Sequence, residues 1–214
     1  MRKSLERIGG TAVLIAGTAL KWGFVFAKFF GFFISAAAYS FWFHSWTFGV
    51  GLALMILIHE LGHVLEARRQ GLDVSWPMFI PFIGAYVTIN KAGLTPLRSG
   101  LISLAGPFVG SIGAAVCWVI GSAYDSHLFT TLAYTGFFLN LFNLIPIGFL
   151  DGGAIARAIG EAWRMPVIHF EGGVPMRALA PDRPRAVAIA TLYVALAIAL
   201  VYGLYGTHVP QHRL

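Results

Sequence analysis

Long apolar segments alternate with short polar connections along the chain, and this pattern predicts a bundle of membrane-spanning helices. A helix needs about 20 mainly apolar residues to cross a bilayer. The apolar segments cover residues 11–43, 46–65, 101–121, 128–150 and 185–206. Lys21 and Lys28 interrupt the first segment, which therefore forms one long tilted span or two short ones. We predict an all-α polytopic membrane protein with five helices, or six if the first segment folds as a hairpin.

Basic residues in the connections predict the orientation, because cytoplasmic loops of membrane proteins carry an excess of Lys and Arg. These residues precede the first segment or lie in later connections: Arg2, Lys3, Arg7, Arg68, Arg69, Lys91, Arg98, Arg157, Arg164, Arg177, Arg183 and Arg185. The short loop with Asp125 and His127 has no Lys or Arg, so we expect it to face outward. A cytoplasmic N-terminus then requires one crossing before Trp46, which favours five spans.

The composition supports the membrane class and narrows the possible partners. Hydrophobic residues make up 57% of the chain and charged residues 11%, whereas soluble domains carry about 25% charged residues. The net charge of +6 comes from residues at segment ends, so we expect a lipid bilayer and no nucleic acid as partner. Cys117 is the only cysteine, which excludes a disulfide within the chain and a multi-cysteine metal site. We expect one transmembrane domain over residues 1–214, integral to a bacterial inner membrane.

The connection of residues 72–93 differs from the other connections. It contains Pro77, Pro81 and a central Gly84, and then the stretch "AYVTIN" with alternating β-branched residues. It is too short and too broken for a spanning helix. We predict a short β-hairpin that lies at the membrane interface or enters the membrane as a re-entrant segment. An ordinary interfacial loop is the alternative, because periodicity alone does not separate the two.

A polar cluster, "LIHELGH" at residues 57–63, interrupts the second apolar segment. Positions i and i+4 share one face of a helix, so His59 and His63 can bind one metal ion. Glu60 then lies where a general base can reach water beside the ion. A charged side chain at the bilayer centre costs on the order of 2.5–3.5 kcal/mol. Packing alone does not explain such a cluster, and we predict a metal site.

A zinc site that activates water uses three protein ligands and leaves one position open. Asp151, in "NLIPIGFLDGG", is the other acidic residue deep in an apolar setting. It ends the fourth segment on the cytoplasmic side, and His63 lies near the cytoplasmic end of the second segment. The formal charges of Zn²⁺, Asp151 and Glu60 sum to zero, which suits an apolar environment. We therefore predict one Zn²⁺ per chain.

The motifs "HELGH" and "NLIPIGFLDG", in this order, resemble those of the site-2 protease family of intramembrane zinc metalloproteases. The resemblance implies that His59, His63 and Asp151 bind zinc. It also implies that Glu60 activates water as the general base and that Asn143 positions or polarises the reacting groups.

The resemblance covers residues 46–160 and includes the small-residue segment "AGPFVG" at residues 105–110. Asn140, one helical turn before Asn143, is a second candidate for the asparagine role. It is alternatively a partner of a metal ligand or a residue that joins two helices. Neither a PDZ insert nor a CBS domain is recognisable in the sequence, so we expect a minimal form of the family.

The resemblance implies hydrolysis of peptide bonds in single-span membrane proteins, known as regulated intramembrane proteolysis, on the cytoplasmic side. We expect an extended substrate to pair with the edge of the predicted hairpin by strand addition. The candidate residues for this pairing are Ala85, Tyr86, Val87, Thr88 and Ile89. A regulatory membrane partner is conceivable, but the sequence does not identify one. The alternative function is a non-catalytic membrane protein that keeps zinc as a structural or transport site, for which Glu60 is not required.

Overall fold

The structure, a computed structural model, describes residues 30–75, 77–80, 84–88, 94–164, 167–171, 174–179 and 181–208. Over these ranges the chain forms six helices and two antiparallel strand pairs, β1–β2 and β3–β4. In chain order the elements are α1 (Phe30–Trp42), α2 (Trp46–Arg69), β1 (Met78–Ile80), β2 (Gly84–Tyr86), α3 (Pro96–Ala123), α4 (His127–Asn143), α5 (Asp151–Arg164), β3 (Val167–Glu171), β4 (Val174–Leu179) and α6 (Arg183–Thr207).

Three of the described helices, α2, α3 and α6, are long and apolar enough to cross a membrane. This finding supports a mainly helical membrane protein. The helix α1 is apolar but shorter, and the part of the first apolar segment before residue 30 lies outside the described residues. The choice between five and six spans therefore stays a prediction.

The fourth apolar segment is helical only as far as Asn143, and not to residue 150 as its hydropathy suggests. The Leu144 amide donates to the carbonyls of both Asn140 and Leu141, which tightens the last turn. Pro146 has no N–H with which to continue the helix. Helix α4 therefore has 17 residues, a length of about 25 Å. The chain then turns through residues 144–150 before α5 begins at Asp151.

Helix α3 is the centre of the bundle and contacts α2, α4, α5 and α6. The core around it buries Met55 of α2, Ala114 of α3, Phe137 of α4 and Leu200 of α6. Small residues let the helices approach closely, as is common between helices in membranes. At Gly136 of α4, a Cβ atom would lie only 3.0 Å from the Cβ atom of Ala114. The bundle is thus held by close backbone packing.

The strands β1 and β2 form a hairpin in which Phe79 lies opposite Ala85. Phe79 is buried, and its ring meets the ring of Phe32 on α1 edge-on, with 5.2 Å between centroids. On the other side, β2 contacts α2. The hairpin is therefore held between α1 and α2. Its predicted location at or in the membrane interface stays a prediction.

Reciprocal hydrogen bonds between Gln70 and Arg98 join the end of α2 to the start of α3. The Arg98 guanidinium donates to Gln70 Oε1 at 3.0 Å and to the Gln70 carbonyl at 2.5 Å. Gln70 Nε2 donates to the Arg98 carbonyl at 3.2 Å and to Glu66 Oε1 at 2.7 Å. This Gln70–Arg98 neck closes the two ends of the connection that carries the β1–β2 hairpin.

The contact of α2 with α3 predicts that Gly62→Ala destabilises the bundle. A Cβ atom at Gly62 would lie 2.4 Å from the Ala105 carbonyl oxygen and 2.9 Å from Gly106 Cα. Both are backbone atoms, so the helices must separate, and overpacking of this kind costs about 1–3 kcal/mol. We expect a lower melting temperature in detergent, measured with a chelator present so that metal binding does not contribute.

Gly160→Ala is the matched control for this substitution. The closest atom to a Cβ at Gly160 is the Arg164 Nη2 at 3.6 Å, an ordinary contact. Alanine is favoured over glycine within a helix by about 1 kcal/mol, so this variant should melt at the same or a higher temperature. Equal melting temperatures for Gly62→Ala and Gly160→Ala would contradict the packing argument.

Candidate active site

The two histidines of the "HELGH" motif lie on one face of α2 and are both buried. Their Nε2 atoms are 3.2 Å apart, as the spacing of i and i+4 predicts. The Nδ1 atom of His63 lies 2.8 Å from the carbonyl oxygen of Ile102 on α3. The Nδ1 atom of His59 lies 2.8 Å from Oδ1 of Asn140 on α4. Each ring is therefore held from its far side, and both Nε2 atoms face a common point.

Asp151 reaches the same point from the start of α5. Its Oδ2 atom is 3.1 Å from Nε2 of His59 and 3.4 Å from Nε2 of His63. The residues are 92 positions apart in sequence for His59 and 88 for His63, so only the tertiary fold brings them together. The sequence analysis expected this meeting from the shared depth of the two segments.

The turn between α4 and α5 presents Asp151, and its glycines are required by space. A Cβ atom at Gly152 would lie 2.0 Å from the carbonyl oxygen of Leu144, and one at Gly153 would lie 2.0 Å from that of Ile147. The hydroxyl of Tyr193 on α6 donates to the Leu144 carbonyl. The turn is thus packed tightly on the start of α5 and is anchored to α6.

The three atoms that converge have the spacing of a tetrahedral zinc site. They form a triangle with sides of 3.1, 3.2 and 3.4 Å. Bonds of about 2.05 Å at the tetrahedral angle place two zinc ligands roughly 3.3 Å apart. Two imidazole nitrogens and one carboxylate oxygen are also a donor set that zinc uses in proteins. The residues present therefore fit a zinc ion.

Glu60 is buried beside this triangle. The potential ligand atoms of His59, Glu60 and His63 lie within 4.8 Å of one another. Asp151, rather than Glu60, completes the tighter triangle with the two imidazoles, and this leaves the Glu60 carboxylate available for another role.

A cavity of about 640 Å³ opens onto these groups. Its wall includes His59, Glu60, His63 and Asp151, together with Asn143 and the hairpin residues Ala85 and Val87. The cavity therefore joins the candidate metal centre to the strand that the sequence analysis proposed for substrate.

The other residues of the proposed substrate strand are placed less directly. Tyr86 lies in β2 and pairs with Met78. Thr88 follows the strand and accepts a hydrogen bond from the Ser75 amide at 3.0 Å. Ile89 lies outside the described residues.

The two asparagines of α4 have different surroundings. Asn140 is 3% exposed and contacts His59, whereas Asn143 lines the cavity, and its Nδ2 donates to the Leu139 carbonyl at 3.1 Å. Of the three roles open to Asn140 in the sequence, the geometry favours the partner of a metal ligand.

The sequence analysis did not find the Ile102 carbonyl, because any residue has one. The small-residue segment "AGPFVG" was the available signal for this part of α3. A Cβ atom at Gly106 would lie 2.2 Å from Nε2 of His63, and one at Gly110 would lie 2.2 Å from Oδ1 of Asn140. The segment thus leaves room for the side chains that build the site.

A family model described as peptidase family M50 matches residues 47–125 and 123–172. The chain belongs to peptidase family M50. This confirms the resemblance to site-2 proteases, and membership of this family of zinc metalloproteases implies Zn²⁺ as the metal.

Curated proteins similar to the chain carry names in keeping with M50. "Putative zinc metalloprotease Rip3" of Mycobacterium tuberculosis is 30% identical over 173 residues, which cover 75% of this chain and 42% of that protein. "Zinc metalloprotease MJ0392" of Methanocaldococcus jannaschii is 33% identical over 114 residues, covering 50% and 32%. "Stage IV sporulation protein FB" of Bacillus subtilis is 30% identical over 107 residues, covering 49% and 37%. The chain thus spans less than half the length of these M50 relatives.

Proposed function

We propose that the chain is an intramembrane zinc endopeptidase that hydrolyses peptide bonds of single-span membrane proteins. The observation that carries the proposal is the convergence of His59, His63 and Asp151 beside Glu60, on helices of which α2 is long and apolar enough to span a membrane. Membership of M50 supports the same reaction. The proposed unit is a single transmembrane protease domain with its core in residues 46–160.

His59, His63 and Asp151 would hold the metal. The 2+ charge of the ion balances the carboxylates of Asp151 and Glu60, which lowers the cost of burying both. When bound, zinc supplies the Lewis acidity that makes water a nucleophile near neutral pH.

Glu60 and Asn143 are the proposed catalytic residues. Glu60 accepts a proton from the attacking water as the oxygen bonds to the peptide carbon, and then delivers that proton to the leaving amine nitrogen. The Asn143 amide donates a hydrogen bond to the carbonyl oxygen as negative charge develops there. Both residues line the same cavity, which supports their acting on one peptide bond.

The substrate is proposed to bind as an extended strand along β2. Peptide groups of successive residues in an antiparallel pair point to opposite edges. The Thr88 carbonyl faces Ser75, on the side of β1, so the peptide groups of Ala85 and Val87 point to the other edge. Both residues line the cavity. A helical substrate must unwind to reach this edge, because its backbone bonds are internally satisfied.

The proposed orientation places the active site near the cytoplasmic side. Arg68 and Arg69 end α2, and His63 lies six residues before Arg69, about 9 Å along the helix. Basic residues favour the cytoplasmic side. An N-terminus on that side follows from the sequence argument, and any regulatory partner would act in the membrane.

The test separates zinc binding from proteolysis. We expect the purified Glu60→Gln variant to keep about one zinc per chain and to lose cleavage of single-span substrates by at least about 100-fold, the low end of the contribution of a general base. Asp151→Ala should lose zinc as well, because one of three ligands is gone. Zinc content is measured by elemental analysis, and cleavage is measured on a substrate panel in detergent and in liposomes.

Phe149→Ala is the matched control, since Phe149 is exposed and lines the same cavity without a metal-binding atom. It should keep its zinc. If Glu60→Gln still cleaves at the wild-type rate, the proposed mechanism is wrong. If the wild type binds zinc but cleaves nothing in the panel, the non-catalytic alternative gains support.

The strand proposal predicts that Val87→Pro slows cleavage while zinc content stays at the wild-type level. Proline removes the N–H that Val87 would offer to the substrate. Val87→Thr is the control, because it keeps both the shape and the N–H. Equal cleavage rates for the two variants would argue against strand addition at this edge.

A further inference from the structure

We propose that Asn140 is a positioning residue that fixes the tautomer of His59 and so prepares Nε2 of His59 to bind the metal. This inference rests on the proposed zinc site, and it concerns a residue that lies outside the metal ligands and the catalytic pair. Asn140 acts through His59 and does not touch the substrate.

The side-chain amide of Asn140 has a defined direction. Its Nδ2 lies 2.7 Å from the carbonyl oxygen of Gly136, and its Oδ1 lies 2.8 Å from Nδ1 of His59. A carbonyl oxygen only accepts hydrogen bonds, so the amide nitrogen must be the atom that faces Gly136. The amide oxygen is thereby directed at the imidazole.

The direction of the amide determines the proton position on His59. Because Oδ1 only accepts, Nδ1 of His59 must carry the hydrogen. In a neutral imidazole the other nitrogen then has the free lone pair. That nitrogen is Nε2, the atom that faces Asp151 and His63.

This control matters because the zinc-free site offers His59 a competing arrangement. In the other tautomer, Nε2–H would donate to Oδ2 of Asp151, which is only 3.1 Å away. That hydrogen bond would occupy two of the three metal-binding atoms. In that tautomer Nδ1 would direct a lone pair at Oδ1 of Asn140, and the repulsion disfavours the competing arrangement.

The two metal-binding histidines use different devices for the same purpose. The Ile102 backbone carbonyl accepts from Nδ1 of His63, and no substitution removes that carbonyl. Asn140 does the equivalent work through a side chain, and substitution can therefore test it. Partners of this kind typically contribute 10–100-fold to metal affinity.

Helix α3 provides the space for Asn140. A Cβ atom at Gly110 would lie 2.2 Å from Oδ1 and 2.8 Å from Nδ2 of Asn140. Asn140 itself is 3% exposed, so the amide has no room to turn away. The site thus holds the amide from the α3 side as well as from α4.

The test compares Asn140→Leu with Asn140→Asp in the purified full chain. Leucine has a similar shape and no acceptor, so we expect zinc affinity, measured by competition with a chelator, to fall roughly 10–100-fold. Aspartic acid in its protonated form keeps a donor for Gly136 and an acceptor for His59. Its zinc affinity should lie closer to that of the wild type than to that of the leucine variant.

A second readout reports the tautomer without any metal. Nitrogen-15 NMR of histidine-labelled, zinc-free protein should show the proton of His59 on Nδ1 in the wild type and in Asn140→Asp. In Asn140→Leu a population with the proton on Nε2 should appear. This result does not depend on proteolysis, so it stands or fails separately from the proposed function.

Asn143→Leu is the matched control for zinc affinity, because Asn143 lies one turn further along α4 and donates to Leu139 rather than to a histidine. Its zinc affinity should equal that of the wild type. If Asn140→Leu does not fold, Asn140→Ala removes the amide without adding volume. Unchanged zinc affinity together with an unchanged tautomer in the folded variant would overturn the proposal.

Discussion

Asp151 is a carboxylate among apolar helices, and the arrangement of the site depends on compensating its charge. At the bilayer centre such a group costs about 2.5–3.5 kcal/mol on insertion scales. The Oδ2 atom lies within 3.4 Å of two imidazole nitrogens that come from a different helix. A divalent cation among these three atoms would supply the missing positive charge. The start of α5, the turn that precedes it and the histidine face of α2 are therefore coupled to one another.

The rest of the bundle serves this meeting by close packing and by fixed hydrogen-bond directions. Gly62, Gly106 and Gly110 lie where α2, α3 and the Asn140 side chain would otherwise collide. The Ile102 carbonyl and the Asn140 amide hold the far sides of the two rings. Rigid outer contacts of this kind orient metal ligands before the metal binds. The scaffold thus combines an apolar exterior with a small and well-ordered polar interior.

Sequence reasoning could predict the parts of the site that depend on local geometry and charge. The pairing of His59 with His63 follows from helix periodicity, and Asp151 followed from the scarcity of acidic residues in apolar segments. The end of α4 was not predictable from hydropathy, because residues 144–150 are as apolar as the helix. The contact of Asn140 with His59 depends on how α4 packs against α2, and a single sequence does not record that packing. M50 membership was accessible early, because its two motifs are specific in combination.

The Gln70–Arg98 neck makes the intervening hairpin a separable module. Its bonds use the side chains of Gln70 and Arg98 and their own carbonyls, with no contribution from the residues between them. The length and sequence of those intervening residues can therefore diverge while α2 and α3 keep their spacing. The part of the molecule that selects a peptide is in this way insulated from the part that breaks it, so one catalytic centre can be adapted to many clients.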